Sequence, residues 1–380
     1  MTTTLLDRVR TRLVETDGEA TAGRVAAALR AEGLVLGDDA VLELVRTLRH
    51  ELVGAGPLEP LLRLPGVTDV IVNGPGAVWI DRGAGLERTE VVFASESDVR
   101  RLAQRLAAAA GRRLDDASPC VDARLPSGAR LHCVLPPVSA DGTLVSLRVP
   151  AATAFTLDDL VACGTVDEAG AELLHGVVES RLSFLISGGT GSGKTTILAA
   201  LLGLVPADAR IVIVEDSTEL APQHPHAVRL QSRTPNVEGA GTVTMRDLVR
   251  QALRMRPDRL VVGEVRGAEV VDLLSAMNTG HEGGAGTVHA NSAADVPARL
   301  EALGLTAGMD RLAVHALLGA GLDAVIHLGR GPQGRVVDGI HVLERASSGL
   351  VHTVPAFVRR GDRLHPGVGM ARLTGRLDSA

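Results

Sequence analysis

The sequence predicts an α/β protein: a parallel, doubly wound sheet domain preceded by a smaller α+β domain and a short helical cap. Three observations predict it. Beyond about residue 183, short apolar runs alternate with helical segments, the pattern of right-handed β-α-β crossovers. Before residue 149 the texture is short β-rich runs around one helix. The 380 residues, at about 150 per domain, leave room for two to three cores.

Residues 1–55 place Leu5, Leu6, Val9, Leu13 and Val14, then Val41, Leu44, Val45, Leu48 and Leu52, at helical spacing. This predicts a helical cap, stopped by Gly54-Ala-Gly-Pro57. Domain 56–149 follows, with strands expected over 67–72, 77–81 and 90–93, a helix over 97–110, and strands over 121–125 and 129–135 around a Pro126-Ser-Gly128 turn. Residues 150–156 read as a linker, and Thr156 with Asp159 as a capping-box start to the next helix. Domain 157–380 then gives strands over 183–186, 210–214, 260–263 and 287–289, with helices over 194–204, 245–255, 268–279 and 293–303. Strands so interleaved imply a parallel sheet covered on both faces.

Composition excludes several classes. With 45% hydrophobic and 22% charged residues the chain is neither disordered nor fibrous. Aromatics are 1%, with no Tyr, one Trp and four Phe, so Leu, Val and Ala must fill the cores and aromatic stacking of ligands is disfavoured. A net charge of -6 is the wrong sign for a surface-wide polyanion trap, though it allows a local basic groove. The N-terminus carries charges every few residues and lacks the apolar stretch of a secretory signal, which suggests a cytoplasmic chain. The most apolar region, 197–214, is broken by Pro206, Asp208 and Arg210, so no membrane span is expected. Cys120, Cys133 and Cys163 are widely spaced and without a C-x-x-C pair, suiting buried free thiols in a reducing compartment.

Gly188-Gly-Thr-Gly-Ser-Gly193-Lys194-Thr195 fits G-x-x-x-x-G-K-[ST] between an apolar strand and a helix. Glycines let backbone N–H groups wrap phosphates, Lys194 is placed to reach the β/γ oxygens, and Thr195 offers a hydroxyl to Mg²⁺. The nucleotide-binding set is therefore Gly188, Gly189, Thr190, Gly191, Ser192, Gly193, Lys194, Thr195 and Thr196. An ordinary Gly-rich turn needs neither four glycines nor Lys-Thr.

Two further apolar runs end in acid, Ile211-Val-Ile-Val-Glu215 and Leu260-Val-Val-Gly-Glu264. Carboxyl ends of central parallel strands open on one edge, so Glu215 and Glu264 can converge on one water and one metal. Spacing alone does not divide these roles. Gly286-Thr-Val-His289 ends another strand in a histidine, which reads equally well as a capping or core residue.

Together, the 188–196 loop, Glu215-Asp-Ser-Thr-Glu219, Leu253-Arg-Met-Arg-Pro-Asp258, Gly263-Glu-Val-Arg-Gly267 and Gly286-Thr-Val-His-Ala-Asn-Ser292 resemble the secretion ATPases of type II and type IV systems. More narrowly, Val67-Thr-Asp-Val-Ile-Val-Asn-Gly74, Asp122-Ala-Arg-Leu-Pro-Ser-Gly-Ala-Arg130, Arg233-Thr-Pro-Asn-Val-Glu-Gly239 and Met277-Asn-Thr-Gly-His-Glu-Gly283 look like the tight-adherence pilus branch, the CpaF-like ATPases. The resemblance spans about residues 52–360.

The resemblance implies a RecA-like ATPase domain behind a PAS-like N-terminal domain. It further implies a homo-hexameric ring using ATP and Mg²⁺ at the cytoplasmic face of the inner membrane, attached through a platform protein. Glu264 matches the Walker B glutamate, Glu215 and Glu219 the acidic box, with Thr195 and Glu215 as metal residues, and His289 the His box. Arg124, Arg130 and Arg148 sit in the segments whose arginines close over the γ-phosphate, and each also reads as a surface strand charge. Arg254, Arg256 and Arg266 are further candidates to face nucleotide or neighbour. The simplified 310–321 segment departs from the family's pattern, and the four-Cys zinc insertion of many type II ATPases is absent.

A different class is a conjugation-type or nucleic-acid-translocating ATPase. The net charge of -6 and the scarcity of aromatics weigh against direct strand contact. A catalytically dead scaffold is disfavoured because Lys194, Thr195, Glu215, Glu264 and His289 are all present. Extension, retraction and export share this chemistry, and the motifs do not separate them.

Overall fold

A computed structural model describes Ala27 and residues 54–83, 85–149, 154–233, 240–331 and 334–378. The cap expected over 1–55 therefore lies outside the described residues, apart from the exposed helical Ala27 and residues 54–55, and so do linker residues 150–153 and positions 234–239. The chain divides into two units, Met1–Ala152 and Thr153–Ala380.

In the first unit a short helix α1 (Glu59–Leu62) precedes β1 (Asp69–Asn73), β2 (Val78–Asp81), β3 (Leu86–Arg88), α2 (Glu96–Ala109), β4 (Cys120–Arg124), β5 (Arg130–Val134) and β6 (Leu144–Arg148). The six strands form one antiparallel sheet in the order β3-β2-β1-β6-β5-β4. Alternation sets its faces. Val121, Cys133 and Val145 pair across three strands and are buried, while their neighbours Asp122, His132 and Ser146 are exposed. Val99, Leu102, Ala103 and Leu106 of α2, at helical spacing, join the same core. The strand expected over 90–93 is not formed. Phe93 is buried and its amide donates to Pro75 O at 2.8 Å, so the segment anchors the core, and the neighbour of β2 is the fully exposed Leu-Glu-Arg of β3. The single tryptophan, Trp79, is half-buried on β2 between Ile71 and Arg88.

The second unit opens with α3 (Leu157–Ala162), whose Thr156–Asp159 capping box is present: Asp159 N donates to Thr156 Oγ1 at 3.1 Å and Thr156 N to Asp159 Oδ2 at 2.8 Å. There follow α4 (Glu168–Glu179), β7 (Phe184–Gly188), α5 (Lys194–Leu202), β8 (Ile211–Glu215), β9 (Ala227–Gln231), α6 (Met245–Ala252), β10 (Arg259–Val262), α7 (Glu269–Met277) and β11 (Ala285–His289). The remainder is α8 (Val296–Thr306), α9 (Arg311–Gly321), β12 (Ala324–Gly331), β13 (Gly334–Arg345), β14 (Val351–Arg360), β15 (Arg363–Pro366) and α10 (Met370–Leu377). The sheet order is β15-β14-β13-β12-β7-β11-β10-β8-β9. The pairs from β12 through β9 are parallel, and β13, β14 and β15 extend the sheet antiparallel, so the sheet is mixed.

Two aliphatic layers cover the sheet. Ile186, Ile211 and Ile213 face a layer that includes α4 and α5, while Leu185, Val212 and Val214 face one that includes α6, α7 and α8. Strands buried on both faces read as unbroken apolar runs, which is why the period-2 signal is absent there. The fold is α/β with a RecA-like sheet domain. Among the described residues no helix is long and apolar enough to cross a membrane. Of the thiols only Cys133 is buried, and burial pushes it up to about 12; Cys120 and Cys163 are exposed, contrary to the expectation of three buried thiols.

Candidate active site

The register of the parallel strands builds the site. His289 at the end of β11 stands directly opposite Gly188 at the end of β7, and Leu328 of β12 flanks Gly188 on the other side. The loop from Gly188 to Gly193 leaves this edge and enters α5. At Gly188 a Cβ would lie 2.7 Å from Ser192 Oγ and 2.8 Å from Leu328 O, so only glycine fits. Gly193 caps α5 with φ 93°, a left-handed conformation that lets the chain turn into the helix with its first-turn N–H groups unsatisfied. Ser192 Oγ is buried with no partner, a donor left over inside the loop.

Lys194, on the first turn of α5, is buried and folded onto its own loop. Its ammonium donates to Gly188 O at 2.9 Å and Gly189 O at 2.8 Å, and stands 3.4 Å from His289 Nδ1. Burial lowers its pKa, with Glu264 acting in the opposite sense. His289 Nε2 in turn lies 3.5 Å from Glu264 Oε1. A lysine can only donate, so Nδ1 is assigned as acceptor and Nε2–H faces the carboxylate. Burial, then Lys194, lowers the His289 pKa, which favours this neutral imidazole. Glu264 is held beside it because Val265 N donates to Thr287 O at 2.8 Å and Thr287 Oγ1 to Gly263 O at 2.6 Å, fastening the loop after β10 to β11.

Glu215 is buried at the end of β8. Its Oε1 accepts the amides of Glu219 and Leu220, both at 2.9 Å, while Oε2 is buried without a partner. Burial pushes its pKa up to about 7 against these two hydrogen bonds. An orphaned carboxylate oxygen fits a bound cation or a cation's water, and the half-buried Thr195 sits at the loop's end as a hydroxyl ligand would. Thr190 and Thr196 lie in the same loop and first turn. Arg266 is turned aside: its guanidinium pairs with Asp216, which also accepts Ser232 Oγ at 2.9 Å. Arg254 and Arg256 are exposed after α6.

In the first unit, Arg124 stands opposite Arg130, Arg130 opposite Arg148, and Arg148 opposite Asp69. Directly opposed residues of antiparallel strands share a face, so the three arginines form one row on the solvent side of the sheet. Arg130 is bidentate to Asp122 at 3.2 and 2.8 Å, Arg148 Nε is 3.3 Å from Asp69 Oδ1, and Arg124 Nε donates to Gly128 O at 3.3 Å. The hydrogen bond from Arg130 holds Asp122 below the usual carboxylate range.

Three residues beside the loop escape a sequence reading. His327 Nδ1 shares a 2.9 Å hydrogen bond with buried Ser187 Oγ, directly under the loop, and burial lowers its pKa. Arg330 and Arg335 flank the tip of the β12–β13 hairpin beside Gly191 and Gly193. The Gly329-Arg-Gly-Pro-Gln-Gly-Arg335 run between apolar stretches is a hairpin signal that points to them.

A glycine-rich loop of the G-x-x-x-x-G-K-[ST] pattern thus opens from the edge of a RecA-like sheet on which acids and a histidine end neighbouring strands. Residues 51–340 match the family described as type II/IV secretion system protein. The chain is 59% identical over 307 residues to a putative conjugal transfer protein of Mycobacterium tuberculosis, covering 79% of this chain and 87% of that one. It is 35% identical over 288 residues to the probable conjugal transfer protein TrbB of Sinorhizobium fredii, covering 74% and 85%. The solved ATPase DotB of Legionella pneumophila shares the fold, with TM-score 0.52 at 20% identity over 81% of this chain and 82% of that one. The chain belongs to the type II/IV secretion system protein family.

Proposed function

We propose that this chain is the ATP-hydrolysing subunit of a homo-hexameric secretion motor. The observation that carries the reading is the contact series Lys194–His289–Glu264 at the mouth of the phosphate loop, with links of 3.4 and 3.5 Å. Phosphates entering the loop draw Lys194 away from the Gly188 and Gly189 carbonyls, and that displacement is passed to His289. Glu264, half-exposed at the edge, orients or deprotonates the attacking water. Thr195 and Glu215 are the residues to hold Mg²⁺, which when bound neutralises charge on the β/γ oxygens. The Arg124–Arg130–Arg148 row supplies guanidinium groups for the γ-phosphate of the same or a neighbouring subunit. Domain movement coupled to turnover then drives pilin assembly or substrate export. A ring of this kind works at the inner face of the cytoplasmic membrane, held by a platform protein.

Two machines fit. The motif set resembles the tight-adherence pilus branch, whereas the 59% identical relative is named for conjugal transfer, which favours a conjugation-type motor. Deleting the chain from its host and scoring surface pili against plasmid transfer separates them. Salt-sensitive retention on single-stranded DNA would favour direct strand contact. For the motor itself the test is light scattering coupled to size exclusion, with and without Mg²⁺ and a non-hydrolysable ATP analogue, beside ATPase rate against protein concentration. A nucleotide-promoted hexamer whose rate per subunit rises with concentration supports the shared-site motor. A monomer of constant rate overturns it.

A further inference from the structure

We infer that Arg330 and Arg335 form a clamp on the α,β-diphosphate of the nucleotide, the group that leaves when the γ-phosphoryl is transferred. The inference rests on the ATPase reading above and adds residues to it. Arg330 and Arg335 are directly opposed across the β12–β13 hairpin. Like charges so placed repel, and among the described residues neither has an acidic partner. Both side chains lean on the phosphate loop: a methyl group on Gly191 would stand 3.7 Å from Arg330 Nη2, and one on Gly193 3.2 Å from Arg335 Cδ. Two exposed arginines whose side chains border a glycine-rich loop at a helix start make a polyanion cradle, and a diphosphate bridging them removes the repulsion.

The sheet order decides which phosphates they meet. β12 and β13 lie on one side of β7, whereas β11, β10 and β8, which bring His289, Glu264 and Glu215 to the edge, lie on the other. In phosphoryl transfer the attacking and leaving oxygens are in line on opposite sides of phosphorus. Glu264 marks the side of the water, so the hairpin arginines mark the side of the leaving diphosphate.

The test is calorimetric titration of Mg-ADP and of a Mg-bound non-hydrolysable ATP analogue into wild type, Arg330→Ala, Arg335→Ala and the double variant, with the two Arg→Lys variants alongside. Each Ala substitution is expected to weaken both nucleotides to the same degree, by roughly tenfold, with partial recovery in Lys. Without nucleotide the Ala variants are expected to melt at or slightly above the wild-type temperature, because an opposed like-charge pair has gone. Weakened analogue with unchanged ADP places the pair on the γ-phosphate and overturns the inference. Unchanged affinity for both removes it from the phosphates altogether and leaves the ATPase reading intact. A wild type that binds neither nucleotide sinks the ATPase reading, and the clamp with it.

Discussion

Gly263 and Glu215 touch across neighbouring strands so closely that a Cβ on the glycine would sit 2.6 Å from Glu215 Cγ. The small residue before Glu264 is thus the floor on which the buried Glu215 carboxylate rests. Gly263→Ala is expected to destabilise the protein by about 1–3 kcal/mol through overpacking. Glu215→Ala in the same chain should remove most of that cost. Urea unfolding of both single variants and the double variant checks this, and strict additivity would count against the contact.

Lys194→Ala removes the only ammonium in the loop. Nucleotide affinity is expected to fall by roughly a hundredfold, about 3 kcal/mol, in calorimetric titration. Affinity within a few-fold of wild type would mean that the backbone amides alone carry phosphate binding.

Glu264→Gln keeps the shape of the side chain and removes its basicity. ATP should remain bound while turnover drops by about 10²–10⁴-fold. Steady-state ATPase assays beside binding measurements decide the matter, and normal turnover would transfer the general-base role to Glu215.

The arginine row leads to a mixing experiment. Rings assembled from Arg124→Ala and Lys194→Ala subunits together should recover ATPase activity if Arg124 acts across a subunit boundary. If activity stays at the level of the separate variants, Arg124 acts within its own subunit or not at all.

His341, on β13, supplies a pH dependence of stability. Burial, then the charge of His327 on the neighbouring strand, pushes its pKa down to about 4 from the ordinary 6.5, with Asp338 pulling the other way. Between these values the unfolded chain binds the proton and the folded chain does not. Stability is therefore complete above pH 6.5 and is lost as pH falls towards 4, by about 3 kcal/mol from this group. His341→Phe should flatten the urea midpoint between pH 6.5 and 4.5. An unchanged slope would place the titration elsewhere, His327 first, whose pKa burial also lowers.

Much of the second unit was legible in the chain. The loop, its lysine and the acid-ended strands are local signals, and α5, β8, β10, β11 and the Thr156 cap lie within a few residues of their expected places. What escaped depends on pairing rather than on local pattern. β9 carries Arg229 inside a five-residue run, and β3 is wholly exposed, so neither shows a period. The row made by Arg124, Arg130 and Arg148 exists only because β6, β5 and β4 are adjacent in that register. Ser187 and His327 are 140 residues apart in the chain and meet only through the β7–β12 pairing. The expectation for Cys120 and Cys163 failed because widely spaced thiols say nothing about the face a strand or helix end presents.

The aliphatic cores have a practical consequence for anyone following the protein in solution. Trp79 is the only tryptophan and there is no tyrosine, so emission excited at the red edge of the indole band, where phenylalanine does not absorb, originates on β2 of the first unit. The RecA-like unit contributes nothing to that emission. Emission reports one domain and far-ultraviolet dichroism both, so the two signals recorded on one sample resolve the unfolding of each unit without a label.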